Sequence, residues 1–140
     1  MPIEVQRVPT LDVPAPERVQ GSVAGPAATE TPVIPLGIAR PRSRIRSARV
    51  YLTTLATGAP GGPVAANAGN PTAIALRNDG VTIGTLSNAA AAIADGAAIA
   101  VSAADLDEGE HIDLLIDNTP AGAENLSTLR VTCVLELDPR

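Results

Sequence analysis

An antiparallel β-sandwich is the fold class this sequence predicts, and three observations point to it. Seven or eight short runs rich in Val, Ile, Leu and Thr alternate apolar with polar residues, the period-2 signature of strands with one buried face. Clusters of Gly, Pro, Asn and Asp separate those runs at hairpin and loop lengths. With no Phe or Trp and a single Tyr, the core must be built from Ala, Val, Ile and Leu. Such side chains each bury less area than aromatics, at ~25 cal/mol per Å², so an isolated copy is expected to be marginally stable and to gain from oligomerisation or docking.

Residues 1–35 hold seven of the thirteen prolines: Pro2, Pro9, Pro14, Pro16, Pro26, Pro32 and Pro35. Each removes a backbone donor and biases its predecessor towards extended conformations, which predicts an extended N-terminal arm over 1–35 and a β-sandwich domain over 36–140. Ile3, Val5, Val8, Leu11 and Val13 punctuate the arm at short intervals, as a peptide laid along a partner's groove requires. They are candidate partner-binding residues, with Val19 and Val23 continuing the pattern. From Thr31, TPVIPLGIA reads as an edge strand, because its prolines would break the middle of a sheet.

The most informative stretch follows, IARPRSRIRSARVYLTTL over 38–55. Arg40, Arg42, Arg44 and Arg46 share one parity, so an extended backbone lines them along one face over roughly 20 Å at ~3.3 Å per residue. Guanidinium forks there suit partner carboxylates or phosphates, or guard a sheet edge against strand-to-strand aggregation. From Ala48 the same parity turns apolar through Val50 and Leu52, which predicts that the arginine face enters the core in the strand over 44–55.

Residues 57–71, TGAPGGPVAANAGNP, read as a loop, either a mobile crown or a second contact element. TAIALR and VTIGTL around Asn78-Asp79-Gly80 predict a hairpin, since those residues supply the positive φ of tight turns. The alanine-rich run over 87–106 predicts a short helical turn at 89–94 and a strand at 97–102. An acidic turn over 105–110, a strand over 111–119 and a closing strand over 128–137 complete the chain. In the last of these Leu129, Val131, Cys133, Leu135 and Leu137 share a face.

Charge is divided unevenly. Residues 1–50 carry seven arginines against four acids, net +3, and residues 51–140 three against eleven, net −8. A basic leading segment on an acidic body points to head-to-tail association or an acidic partner surface; nucleic-acid binding is not expected, since the globular part is acidic and only Tyr51 could stack. All ten basic residues being arginine fits a GC-rich coding genome as well as a functional demand. MPIEVQRVPT lacks a signal peptide's basic start and apolar run, and no apolar stretch approaches the ~20 residues of a membrane span, so a soluble protein made in the cytoplasm is expected, with no membrane partner.

No catalytic, cofactor or metal constellation is expected, and the chain does not read as an enzyme. His111 is the only histidine and lacks a nucleophile partner motif; Cys133 is the only cysteine, among apolar neighbours that predict a buried thiol. The acidic residues Asp105, Asp107, Glu108, Glu110, Asp113 and Asp117 miss the EF-hand spacing and read as a solvated turn, with a cation site or a landing surface for a neighbour's arginine as the alternatives. GAPGG does not follow a phosphate-binding loop.

In its order of parts the chain resembles the head decoration, or cement, proteins of tailed bacteriophages. The resemblance covers 31–137 and rests on TPVIPLGIARPRSRIRSARVYL, the RNDGVTIGTL hairpin, LDEGEHIDLLIDNT and the closing RVTCVLEL. It implies a jelly-roll-like β domain and a non-enzymatic virion protein without cofactor. Such a protein sits on the capsid exterior, often as a homotrimer, and pins neighbouring copies of the major capsid protein together. A tail-fibre or carbohydrate-binding β-sandwich is the alternative, weakened by the shortage of aromatics for stacking on sugars.

Overall fold

The computed structural model describes residues 17–38 and 42–139. They form ten strands in two antiparallel five-stranded sheets, with no helix among them. The strands are β1 (Glu17–Ala24), β2 (Val33–Ile38), β3 (Ser43–Thr54), β4 (Ala73–Asn78), β5 (Val81–Ser87), β6 (Ala97–Ala98), β7 (Ala100–Val101), β8 (Asp105–Leu106), β9 (His111–Asp117) and β10 (Leu129–Pro139).

The first sheet runs β1-β10-β3-β6, with β8 also on β3, and the second runs β2-β9-β4-β5-β7. Apart from the β4–β5 hairpin, successive strands pass from one sheet to the other. Counting the short β6, β7 and β8 as one position, this is the interleaved double Greek key of a jelly roll. The β6–β7 stretch closes one side of the sandwich. Ala97 and Ala98 pair with β3, Ala100 and Val101 pair with β5, and between them buried Ile99 donates its N–H to Ala48 O at 2.8 Å.

The opposite side is closed by β1 and β2, the edge strands of the two sheets. A Cβ at Gly21 would lie 2.7 Å from both Ile34 Cγ2 and Pro35 O, so only glycine lets β1 approach β2 this closely. Residues 17–35 therefore do not extend away from the sandwich as an arm would: they supply β1 and half of β2. β1 pairs along its whole length with β10, from Glu17 opposite Leu137 to Ala24 opposite Arg130, and Val19 and Val23 pack on the core. The prolines permit this because none lies within β1, Pro26 occupies the connection after it, and Pro35 sits on an edge strand beside a bulge.

The core lies between the sheets, with Val50, Leu76, Leu106, Leu114, Ile116, Val131, Cys133 and Leu135 fully buried. β10 alternates as its sequence predicts, and Asp79 and Gly80 form the β4–β5 turn with φ of 49° and 82°. The alanine-rich run behaves differently from expectation. Instead of a helical turn at 89–94, Ile93 is buried and bridges Val64, while Asp95 Oδ1 accepts the N–H of Leu52 at 2.8 Å. Six residues cannot offset the cost of nucleating a helix when one of them can fill the core instead.

The four connections at one end of the sandwich, over 25–32, 57–72, 88–96 and 118–128, are tied together by side-chain amides, of which Asn88 and Asn118 are buried. Thr72 Oγ1 donates to Asn118 Oδ1, and Asn118 Nδ2 donates to Ala27 O at 3.1 Å and Glu124 O at 2.9 Å. Asn88 Oδ1 accepts from Thr72 N at 2.7 Å while its Nδ2 donates to Ala65 O at 2.8 Å. Asn67 reaches Gly122 O and Glu124 Oε2, each at 3.0 Å. Loop 57–71 is thus fixed to its neighbours.

Candidate interaction surface

The arginines of β3 stand on the outer face of the first sheet and do not enter the core. Arg44 lies opposite Asp138, Ser47 opposite Glu136 and Ile45 opposite Leu137, which leaves Arg46 without an opposite number: a one-residue β-bulge. The bulge switches parity. Ser43 and Ile45 point inwards before it and Ala48, Val50 and Leu52 after it, so Arg44, Arg46, Ser47, Arg49 and Tyr51 all belong to the outward side. The expected passage of the arginine face into the core is overturned by this single extra residue.

Of the sequence-derived contact residues, Ile3, Val5, Val8, Leu11, Val13 and Arg40 lie outside the described residues. Arg42 is exposed just ahead of β3. Arg44 Nε donates to Asp105 Oδ1 at 2.7 Å, a hydrogen bond that, with the carboxylate's charge, raises the guanidinium pKa. Arg46 lies 3.8 Å from Glu136 and 3.7 Å from Asp138. These pairs are half exposed and screened by solvent, so they hold the side chains in place without contributing much stability, and a partner's carboxylate can exchange for them.

At the end opposite the amide network Glu17 pairs with Leu137, which pairs with Ile45, and Ser43 pairs with Pro139 on one side and Leu106 on the other. Glu17, the first described residue, therefore stands two strands away from Ile45, which lies between Arg44 and Arg46 of β3, about 10 Å at ~4.8 Å per strand. The β4–β5 turn and the acidic turn lie at this end as well. In the acidic turn Glu110 Oε1 accepts the N–H of Asp107 at 2.6 Å, and the first two acidic-stretch residues, 105–106, form β8 against β3. His111 begins β9, exposed, its N–H held by Asp79 Oδ1 at 2.9 Å. Among the described residues no three His, Cys, Asp or Glu side chains cluster as a metal ion requires, and no helix is long and apolar enough to cross a membrane.

Two of the hollows among the described residues involve the first sheet, the wider beside the β7–β8 connection and the smaller on the outer face. A wide one of about 490 Å³ is lined by Arg44, Ser102, Ala103, Ala104 and Asp105. A small one of about 80 Å³ is lined by Arg18, Ser47, Arg49, Tyr51, Val134 and Glu136. The small hollow is assembled from three strands whose order depends on β10 lying between β1 and β3, and sequence reasoning missed it. The only forewarning was Tyr51, the sole aromatic, on the same strand as the arginines. On the second sheet's outer face Arg77 grips Asp113 bidentately, Nε to Oδ1 at 2.7 Å and the second nitrogen to Oδ2 at 2.9 Å, a structural clasp between β4 and β9.

No family model, curated protein or solved structure matches this chain.

Proposed function

We propose that this chain is a non-enzymatic virion structural protein of the decoration type, a jelly-roll knob that attaches to the outer surface of a lattice of major capsid protein and stabilises it. The observation that carries the reading is the convergence at one end of the sandwich: residues 1–16 join it at Glu17, two strands from the arginines at the start of β3. A chain of sixteen residues, if fully extended, reaches on the order of 50 Å, enough to cross onto an adjoining subunit, while Arg42, Arg44 and Arg46 hold the sandwich against an acidic surface. Binding the assembled lattice in preference to free subunits stabilises the lattice by mass action, and repeated copies, as homotrimers or along the lattice, add avidity.

Attachment to purified capsids tests this with two variants: one lacking residues 1–16, and one with Arg40, Arg42, Arg44 and Arg46 replaced by Ser. Each should lower capsid occupancy, and the serine variant should lose most of the salt dependence. Wild-type occupancy in both would overturn the proposal. Removing residues 1–35 is not a usable test, because β1 and part of β2 go with them.

A further inference from the structure

On the outer face of the first sheet, three cross-strand rows meet. Arg18 faces Glu136, which faces Ser47; Gln20 faces Val134, which faces Arg49; Ser22 faces Thr132, which faces Tyr51. Val134 is the only apolar residue on the outward side of β10, and yet it is only 7% exposed. It lines the floor of the 80 Å³ hollow together with Arg18, Arg49 and Tyr51.

The charges around this floor do not balance. Glu136 is the one carboxylate in the lining, and it is already engaged: Ser47 Oγ donates to Glu136 Oε1 at 3.2 Å, and Arg46 lies 3.8 Å away. Arg49 gives one nitrogen to Gly96 O at 2.9 Å, an uncharged acceptor. Among the described residues Arg18 and Arg49 make no ion pair. Two guanidinium groups therefore border a small hollow with an apolar floor and a phenol at its rim, and among the described residues neither is ion-paired with a carboxylate. Planar forks in that position favour a carboxylate, which can accept two parallel N–H bonds.

Size narrows the choice of occupant. A volume of about 80 Å³ is far below the ~300–1,000 Å³ of a pocket for a drug-sized molecule or cofactor. It suits the head of one Asp or Glu side chain with its methylenes on Val134. We infer that the hollow is a subsite for an acidic side chain presented by a partner protein. The inference rests on the reading of this face as the attachment surface and adds the chemistry that the partner must bring to it.

Titration of the full chain, labelled with ¹⁵N at arginine and ¹³C at tyrosine, provides the test. The probe is the peptide acetyl-Glu-Glu-Glu-Glu-amide, with the matching glutamine peptide as control. The glutamate peptide should shift the Nε signals of Arg18 and Arg49 and the ring of Tyr51 in a saturable way that weakens with salt, leaving Arg77 unmoved. Arg18→Gln with Arg49→Gln should weaken binding at least fivefold. Glu136→Gln, which removes the competing internal carboxylate, should tighten it two- to fivefold. All three positions face outwards, so the fold is expected to persist.

Absence of shifts, equal shifts with the glutamine peptide, or unchanged binding in the double variant would overturn the subsite. Tighter saturation by N-acetylneuraminic acid than by the glutamate peptide would overturn the protein partner in favour of a sugar acid. No capsid enters this titration, so its failure leaves the attachment reading standing, and failure of capsid attachment leaves the titration standing.

Discussion

Ile45 and Ala48 are three positions apart on β3, yet both face the core, Ile45 opposite Leu137 and Ala48 opposite Leu135. Strict alternation would place them on opposite faces. The extra residue, Arg46, allows one strand to present arginines to solvent at its start and still deliver Val50 and Leu52 to the interior.

Deleting Arg46 should accordingly be tolerated, because it restores plain alternation from Ile45 through Ser47 to Ala48. Deleting Arg49 should not be, since it turns Val50 and Leu52 outwards, at ~1.5–3 kcal/mol for each buried side chain lost. Thermal melts of the two variants decide the matter. A cooperative transition for the Arg49 deletion near that of the wild type would mean that the bulge does not set the register.

Much of the sandwich was legible because period-2 patterning and turn chemistry are local. The β10 alternation, the Asp79-Gly80 turn and the edge character of β2 can each be read within about ten residues. What escaped was non-local. A bulge is invisible in one strand's composition, because it is defined by the partner strand that passes over the extra residue. The proline count hid β1, since the decisive features there are the alternation of Val19 and Val23 and the missing side chain of Gly21, which matter only once β2 lies alongside. The hollow at Val134 needed the order β1-β10-β3, a relationship between residues more than a hundred positions apart.

Membership of 17–24 in the sandwich gives a direct test through Gly21→Ala. The new methyl would stand 2.7 Å from Ile34 Cγ2 and from Pro35 O, and a backbone oxygen cannot rotate away. Overpacking of this kind costs ~1–3 kcal/mol. Urea unfolding should show that loss for Gly21→Ala and almost none for outward-facing Ser22→Ala. Equal stability of the two would mean that β1 is not docked against β2.

Asn118 is the pin of the amide network. Its side chain accepts from Thr72 and donates to the carbonyls of Ala27 and Glu124, with no solvent access. Asn118→Ala leaves the buried Thr72 hydroxyl and two partly buried carbonyls without these partners, and a fully buried polar group left unsatisfied costs about 1–3 kcal/mol. A loss of about 2–3 kcal/mol in chemical denaturation is expected, together with faster amide exchange at Thr29, whose N–H donates to Asn118 O at 2.6 Å. A loss below about 1 kcal/mol would show that water replaces the side chain at no great cost.

Cys133 gives the fold a pH dependence whose sign follows from its site. Burial between the sheets disfavours the thiolate and pushes the thiol pKa from its ordinary 9.0 up to about 12. Between those values the unfolded chain releases the proton while the native chain keeps it, so the unfolded state binds fewer protons and stability falls as pH rises. The slope approaches about 1.4 kcal/mol per pH unit and is absent below pH 9, where the thiol is protonated in both states. Denaturation of wild type and Cys133→Ala between pH 8 and 11 isolates this contribution, because every other titrating group is common to both. The wild type should lose stability more steeply above pH 9. Parallel curves would mean that the thiol ionises in the native state as readily as in the unfolded chain, and therefore that the space between β10 and the second sheet admits water.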